Sequence, residues 1–360
     1  MKQYYRVGTK TFAQPFAALR ESAQTGLFAE YVVPDDYKHS FLGINPGSLP
    51  SNKTLMQQKA EYLNNNYKCR FHYSGGVDSH SVINLVNWPM HYMYLRGLID
   101  VRHVDEEYMF GYDYLEQTNK PKEIKYITLE DYEIWKDPEA PYKYSDFYCG
   151  VSPTWLSGYD IASTSTYDLE VTAYEKPLLY SKNENYYWVL HDGTDILMDA
   201  NRVDFFLDDY IPELAVKQVY TFLDYFRKHH PDQQGFLNWK AVDQYSLLAT
   251  MGRDLNRPKQ PVEKTIENWH KFYHLNYKHR RIFDELIALD RRDIIETWIQ
   301  RLEDVISVIE PAPHSLHIAT QKVENYGNVR LPERICRIGA IYKILPDGLE
   351  LLPHSDINKL

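Results

Sequence analysis

Six consecutive residues hold the chemistry most legible in this sequence: Ser74-Gly75-Gly76-Val77-Asp78-Ser79. Two adjacent glycines permit positive φ and let a ligand approach the main chain closely. Successive N–H groups then point into one concavity, and a helix start adds partial positive charge. That combination is an anion site, most naturally a phosphate site. The plain alternative is an ordinary βα turn with Asp78 or Ser79 as helix N-cap. A Walker A loop would need Gly-x-x-x-x-Gly-Lys-Ser/Thr, which this stretch does not have.

The flanking elements must position that loop. Tyr67 to Tyr73 is rich in residues that suit a pleated surface and predicts a strand. Asp78 to about Asn87 predicts a helix with Val82, Ile83, Leu85 and Val86 on its apolar side. In that setting Ser74 to Ser79 resembles the Ser-Gly-Gly-x-Asp-Ser signature of the PP-loop ATP pyrophosphatases, also called adenine nucleotide alpha hydrolases. All five specified positions match. The resemblance implies ATP and Mg²⁺ as cofactors and cleavage of ATP between its α and β phosphates. It implies that the amides of Gly75, Gly76, Val77, Asp78 and Ser79 hold the leaving pyrophosphate, with the hydroxyls of Ser74 and Ser79 as further donors. Asp78 is then the carboxylate that meets Mg²⁺ through water or fixes the loop. Adenine is expected against the second strand at Tyr94, Leu95 and Arg96. Lys176, in a Glu-Lys-Pro turn after a later strand, is the candidate to meet the triphosphate, with a solvated lysine as the alternative.

Residues 1–60 read as a lead-in. It holds a strand at Tyr4–Val7, a helix from Thr11 to Thr25 closed by Gly26, a turn-rich linker at Asn45–Ser48 and a helix at 53–65. Residues 61–210 read as the nucleotide-binding domain. Strands are predicted at Met90–Arg96, Glu123–Leu129 and Leu169–Pro177, with a helix at His103–Thr118, a long excursion over 133–152 and a helix at Pro153–Ser163. The βαβ spacing gives an α/β class with a parallel sheet. The resemblance implies a Rossmann-like arrangement with helices on both faces. Trp188 to Met198 reads as a hairpin about Asp192-Gly193, in preference to a second pyrophosphate loop. Asp192 and Asp195 remain metal-ligand candidates. Residues 211–360 read as a mainly helical region. It opens with a helix from Pro212 to about His230 and closes with a hairpin about Pro346-Asp347-Gly348. The Pro-Glu-Leu at 212–214 and Lys217-Gln218 resemble virus-encoded PP-loop proteins, some of them asparagine synthetase-like.

A formal net charge of −10 disfavours a broad nucleic-acid surface. Local basic candidates are Lys278-His279-Arg280-Arg281, Arg291-Arg292 and the turn-rich Met251 to Pro258, each also explained as a solvated face. Cys69, Cys149 and Cys336 form no CxxC pair, so no zinc ribbon, redox pair or disulfide framework is expected, and a reducing cytoplasm (the host's, for a viral chain) fits. No run approaches membrane-spanning length. Lys2 stands where an N-terminal-nucleophile glutaminase would need cysteine. The absent cysteine sets argue against zinc-dependent and iron–sulfur members of the resembled group. The expected reaction is adenylation of an unidentified acceptor, then attack by an amine or ammonia. Sulfur relay through Cys149, action on nucleic acid and a non-catalytic nucleotide-binding module are the alternatives. The 31 tyrosines read as half-buried packing with wet edges.

Overall fold

In the computed structural model the chain enters through a three-stranded antiparallel sheet, ordered β2-β1-β3. The strands are β1 (Tyr4–Val7), β2 (Lys10–Phe12) and β3 (Ala29–Val32). Helix α1 (Pro15–Thr25) lies between β2 and β3 and ends as expected, with Gly26 at φ +70° donating its N–H to Ser22 O at 2.8 Å. The expected helix from Thr11 starts late because residues 10–12 pair with β1. Helix α2 (Asp35–Ser40), a 3-10 turn at Pro46–Ser48 and α3 (Asn52–Asn66) follow. The structure describes residues 4–13, 15–94, 98–99, 106–133, 165–173, 176–191, 201–237, 244–253, 284–297, 300, 317–323, 329–335 and 338–353.

The α/β unit runs β4 (Cys69–Tyr73), α4 (Val77–Ile83), β5 (Met90–Tyr94), α5 (Glu106–Gln117), β6 (Lys122–Tyr126), α6 (Leu129–Glu133) and β7 (Leu169–Thr172). After strands β8 (Leu178–Lys182) and β9 (Asn185–His191), β10 (Arg202–Asp204) returns to the same sheet. The order is β10-β7-β4-β5-β6 with every neighbouring pair parallel. Strands β4, β5 and β6 build outward on one side, β7 and β10 on the other. The order therefore reverses between β4 and β7, where open α/β sheets place their ligand crevice. Three predicted elements are shorter than expected. Helix α4 stops at Asn84, so Leu85 and Val86 pack from a loop. Strand β6 stops at Tyr126, because Asp131 accepts from Thr128 N and Oγ1 at 2.7 and 3.1 Å and starts α6 instead. Strand β7 stops at Thr172.

One face of this sheet is apolar, with Phe71, Tyr73, Met90, Tyr92 and Val171 buried. The other carries Arg70, His72, His91 and Glu170, also largely buried. Arg70 donates Nε and Nη2 to Glu170 at 2.7–3.0 Å, and His72 Nε2 lies 2.7 Å from Glu170 Oε2. Burial would raise the Glu170 carboxyl, but His72, Arg70 and Ser165 hold it down at about 2. Among the described residues neither His91 ring nitrogen has a hydrogen-bond partner, and Nδ1 lies 3.8 Å from Glu123 Oε2. Burial first, then the neighbouring His72 and Arg70, push it down to about 3. The native His91 therefore refuses a proton that the unfolded chain accepts near pH 6.5. Stability is lost as pH falls below that value, with a slope approaching about 1.4 kcal/mol per pH unit from this group. In urea melts from pH 7 to 4, His91→Met is expected to flatten the wild-type curve by that slope; parallel curves would assign the acid loss elsewhere.

A second five-stranded sheet, β11-β8-β9-β14-β15, is antiparallel. It joins residues 178–191 to the C-terminal hairpin. Helix α7 (Pro212–His229), β11 (Gly235–Phe236), α8 (Gln244–Thr250), β12 (His317–Val323), β13 (Val329–Ile335), β14 (Ile338–Leu345) and β15 (Gly348–Leu351) complete the order. Pro212 opens α7 and the 346–348 turn closes β14 onto β15, both as expected. The mainly helical C-terminal region also contains the paired strands β12 and β13, which periodicity did not suggest. The expected hairpin about Asp192-Gly193 falls on residues 192–200, which lie outside the described residues. Trp188 pairs with Leu179 on one edge and Tyr342 on the other, so β9 already has both neighbours there. Its hairpin turn is Asn183-Glu184, both left-handed at φ +50° and +62°. Asp192 and Asp195 lie outside the described residues. A left-handed glutamate is strained, and a two-residue turn of this kind favours glycine. Glu184→Gly is expected to raise unfolding stability by about 1 kcal/mol in urea melts.

The sheets share one core. Phe41, Trp188 and Tyr342 meet with ring centroids 4.9–6.0 Å apart, and the Tyr342 hydroxyl donates to Lys38 O at 2.9 Å. Among the described residues no helix is long and apolar enough to cross a membrane.

Candidate functional site

The loop after β4 turns at Gly75, whose φ of +79° belongs to the left-handed region that favours glycine. Gly76 is the N-cap position of α4, and its carbonyl accepts from His80 N at 2.8 Å. The two serines tie the loop to itself. Ser74 Oγ and Ser79 Oγ are 2.9 Å apart, Ser79 Oγ accepts from Ser74 N at 3.2 Å, and Ser74 Oγ accepts from Gly76 N at 3.3 Å. Helix α5 presses close at Gly111, where a β-carbon would stand 3.0 Å from Gly75 Cα and 2.8 Å from the Tyr92 hydroxyl. A side chain there would move the loop. The N-cap alternative for Asp78 and Ser79 is replaced by Gly76.

Asp78 faces out of this loop between two cations. Lys176 Nζ donates to Oδ2 and Arg253 Nε to Oδ1, both at 2.7 Å. Burial would raise the Asp78 carboxyl, but Lys176 and Arg253 together hold it below the ordinary carboxylate value. Lys176 arrives from the link that follows β7, so the β4 loop and the β7 link meet where the strand order reverses. Asp78 and Lys176, expected separately, are thus brought together.

Arg253 is the residue that motif reasoning missed as a partner of the loop. It lies 175 residues from Asp78 and stood only inside a turn-rich basic stretch. Its side chain is fully buried, with Cζ 3.3 Å from the centroid of the Phe206 ring. Gly252, at φ +81°, turns the chain out of α8 against Asn52, whose Cβ would stand 3.1 Å from an added β-carbon. Gln218 donates to Asn52 Oδ1 at 2.7 Å and to Met251 O at 3.2 Å, while Asn52 donates to Thr221 Oγ1 and Thr250 O at 3.0 and 3.2 Å. This buried amide network joins α3, α7 and α8 and fixes the stem that carries Arg253. A glycine beside an arginine at a helix end was the only local signal for it.

With both Asp78 oxygens bound to cations, the expected role of Asp78 as a magnesium ligand does not fit this arrangement. Among the described residues no group of three or more His, Cys, Asp or Glu is arranged to hold a metal ion. Tyr94 ends β5; Leu95 and Arg96 lie outside the described residues, as do Cys149 and the 278–281 cluster. Arg291, a candidate grip for an anionic substrate, bonds Asp293 at 3.1 Å and Glu133 instead. No family model, curated protein or solved structure matched this chain.

Proposed function

We propose that this chain is an ATP-binding enzyme of the PP-loop type that splits ATP into AMP and pyrophosphate and adenylates an acceptor, which an amine or ammonia then attacks. The observation that carries the reading is the Asp78 clamp. A Ser-Gly-Gly loop with a left-handed glycine lies at the carboxyl end of β4, and Lys176 and Arg253 converge on its aspartate at the strand-order reversal. The part-exposed ammonium of Lys176 and the two hydroxyls of Ser74 and Ser79 beside a backbone concavity suit a polyphosphate. The nucleotide is taken as its magnesium salt, and no step is assigned to a metal on the protein.

In the proposed reaction an acceptor oxygen attacks the α-phosphorus. The bond from that phosphorus to the α–β bridging oxygen breaks, and pyrophosphate leaves with the electron pair. The amine nitrogen then bonds to the acceptor carbon that carries the adenylated oxygen, the bond from that carbon to the oxygen breaks, AMP leaves with the oxygen and the electron pair, and the amine gives up a proton. Lys176, Ser74 and Ser79 act where negative charge grows on the leaving pyrophosphate, so donors held in place help most in the transition state. Arg253 is a positioning residue that sets Asp78 and the loop. The test is isothermal titration with a non-hydrolysable ATP analogue and Mg²⁺, followed by pyrophosphate release with candidate acceptors. Ser74→Ala is expected to weaken analogue binding about tenfold, as loss of a hydrogen bond to a charged group would. Binding by the wild type that is equal in Ser74→Ala and Lys176→Met would remove the loop from the site.

A further inference from the structure

The two halves of the Asp78 clamp are not equivalent. Arg253 holds Oδ1 through Nε at 2.7 Å, from a side chain with no exposed surface. Its guanidinium lies over Phe206, with Cζ 3.3 Å from the ring centroid, and the Asn52–Gln218 network fixes the stem behind it. Lys176 holds Oδ2 at the same distance, but its side chain is 13% exposed and that of Asp78 16%. Lys176 also lines a cavity of about 190 Å³ beside edge strand β10, which gives the ammonium space to turn. A lysine is a point charge on a flexible four-carbon stem, whereas a guanidinium is a planar fork held by its surroundings. One bond of the clamp is therefore built in, and the other can be exchanged.

We infer that the Asp78–Lys176 pair is an autoinhibitory latch on the anion site: the carboxylate holds the ammonium until a polyphosphate takes it over. The inference rests on the nucleotide reading of the loop for the identity of the ligand, but not for the exchange itself. A polyphosphate presents several charged oxygens to the ammonium, where Asp78 presents Oδ2. When Lys176 leaves, Arg253 remains on Oδ1, so Asp78 is not stranded as a buried carboxylate without a counterion. The loop is closed on itself in the same way. Gly76 N donates to Ser74 Oγ at 3.3 Å and Ser74 N to Ser79 Oγ at 3.2 Å, so donors that suit a phosphate are answered internally. Such a latch lowers apparent affinity in proportion to the fraction of chains in which it is open. Asp78 is thus an internal rival of the ligand as well as the residue that orders the loop.

The probe is inorganic pyrophosphate, titrated calorimetrically into the full chain at pH 7.5, beside a non-hydrolysable ATP analogue with Mg²⁺. Asp78→Asn opens the latch and is expected to bind pyrophosphate at least tenfold more tightly than the wild type. Removing a negative charge near an anion would tighten binding without any latch, so the comparison is repeated without the lysine. Between Lys176→Met and Asp78→Asn/Lys176→Met the gain is expected to fall below threefold, because the carboxylate then has no ammonium to release. If Asp78→Asn does not fold because Arg253 is stranded, Arg253→Met is compared with Asp78→Asn/Arg253→Met, and the same tenfold gain is expected. A gain that depends on Lys176, with no analogue binding by the wild type, would keep the latch and overturn the nucleotide reading. Analogue binding by the wild type with an equal gain in both backgrounds, or with no gain in either, would overturn the latch and leave that reading in place. Pyrophosphate binding by none of the variants would also overturn the latch.

Discussion

Asp78→Ala is expected to lower pyrophosphate release at least a hundredfold and to destabilise the fold by about 3–5 kcal/mol, the range for removing one partner of a buried ion pair. Both effects have one cause. Arg253 is wholly buried and Lys176 nearly so, and each gives Asp78 a 2.7 Å bond. Without the carboxylate, two desolvated cations face each other across the loop. With that counter-charge gone the site attracts anions, so millimolar pyrophosphate should restore part of the lost stability in urea melts, in proportion to the logarithm of its concentration. Wild-type stability should respond less. The pH dependence has a definite sign. The Asp78 carboxyl lies below its ordinary value, so its contribution is present above the usual carboxylate range and is lost as pH falls through the native value. The gap between wild type and variant should therefore close only in acid, below about pH 4. Unchanged stability with retained turnover would mean that the clamp is incidental.

What could be read in the chain was local. The loop occupies six consecutive residues and announces itself by side-chain type, as do the Gly26 cap, Pro212 at the head of α7 and the turn between β14 and β15. Each is decided by residues a few positions apart. The strand at Met90 and the helix near Glu106 followed from periodicity in the same way. What could not be read depended on distant chain segments. Strand β9 takes one partner from β14, some 150 residues away, and its turn from β8 uses a strained Glu184 with no local signature. Lys176 was legible as a candidate, but its partner was not. Arg253 belongs to the site only because a buried amide network between Asn52 and Gln218 delivers it there. Side chains such as these look like solvated charge in sequence, since burial is a property of the assembled fold.

Lys59 shows the same blindness, and its replacement should have the second large effect. It lies on the buried face of α3 in register with Leu55 and Leu63, a spacing of four that a helix assigns to its core side. Its ammonium is fully buried, 2.5 Å from Asp208 Oδ1 and 5.4 Å from the centroid of the Phe205 ring. Lys59→Met keeps most of the volume and removes the charge, leaving Asp208 buried without its counterion. The expected loss at pH 7.5 is about 3 kcal/mol, at the lower end of the range for breaking a buried pair, because the carboxyl escapes part of the cost by protonating. Burial already raises Asp208 to about 6, and losing Lys59 raises it further. A raised carboxyl contributes most below the unfolded value, and that contribution fades as pH climbs through the native one. The deficit of Lys59→Met should accordingly shrink on going from pH 7.5 to pH 5. Adding Asp208→Asn should recover much of the deficit at pH 7.5 and abolish its pH dependence, since no charge is then stranded. A deficit that is constant with pH, or a double variant no better than the single one, would show that Lys59 acts through packing over Phe205 and not through its ion pair.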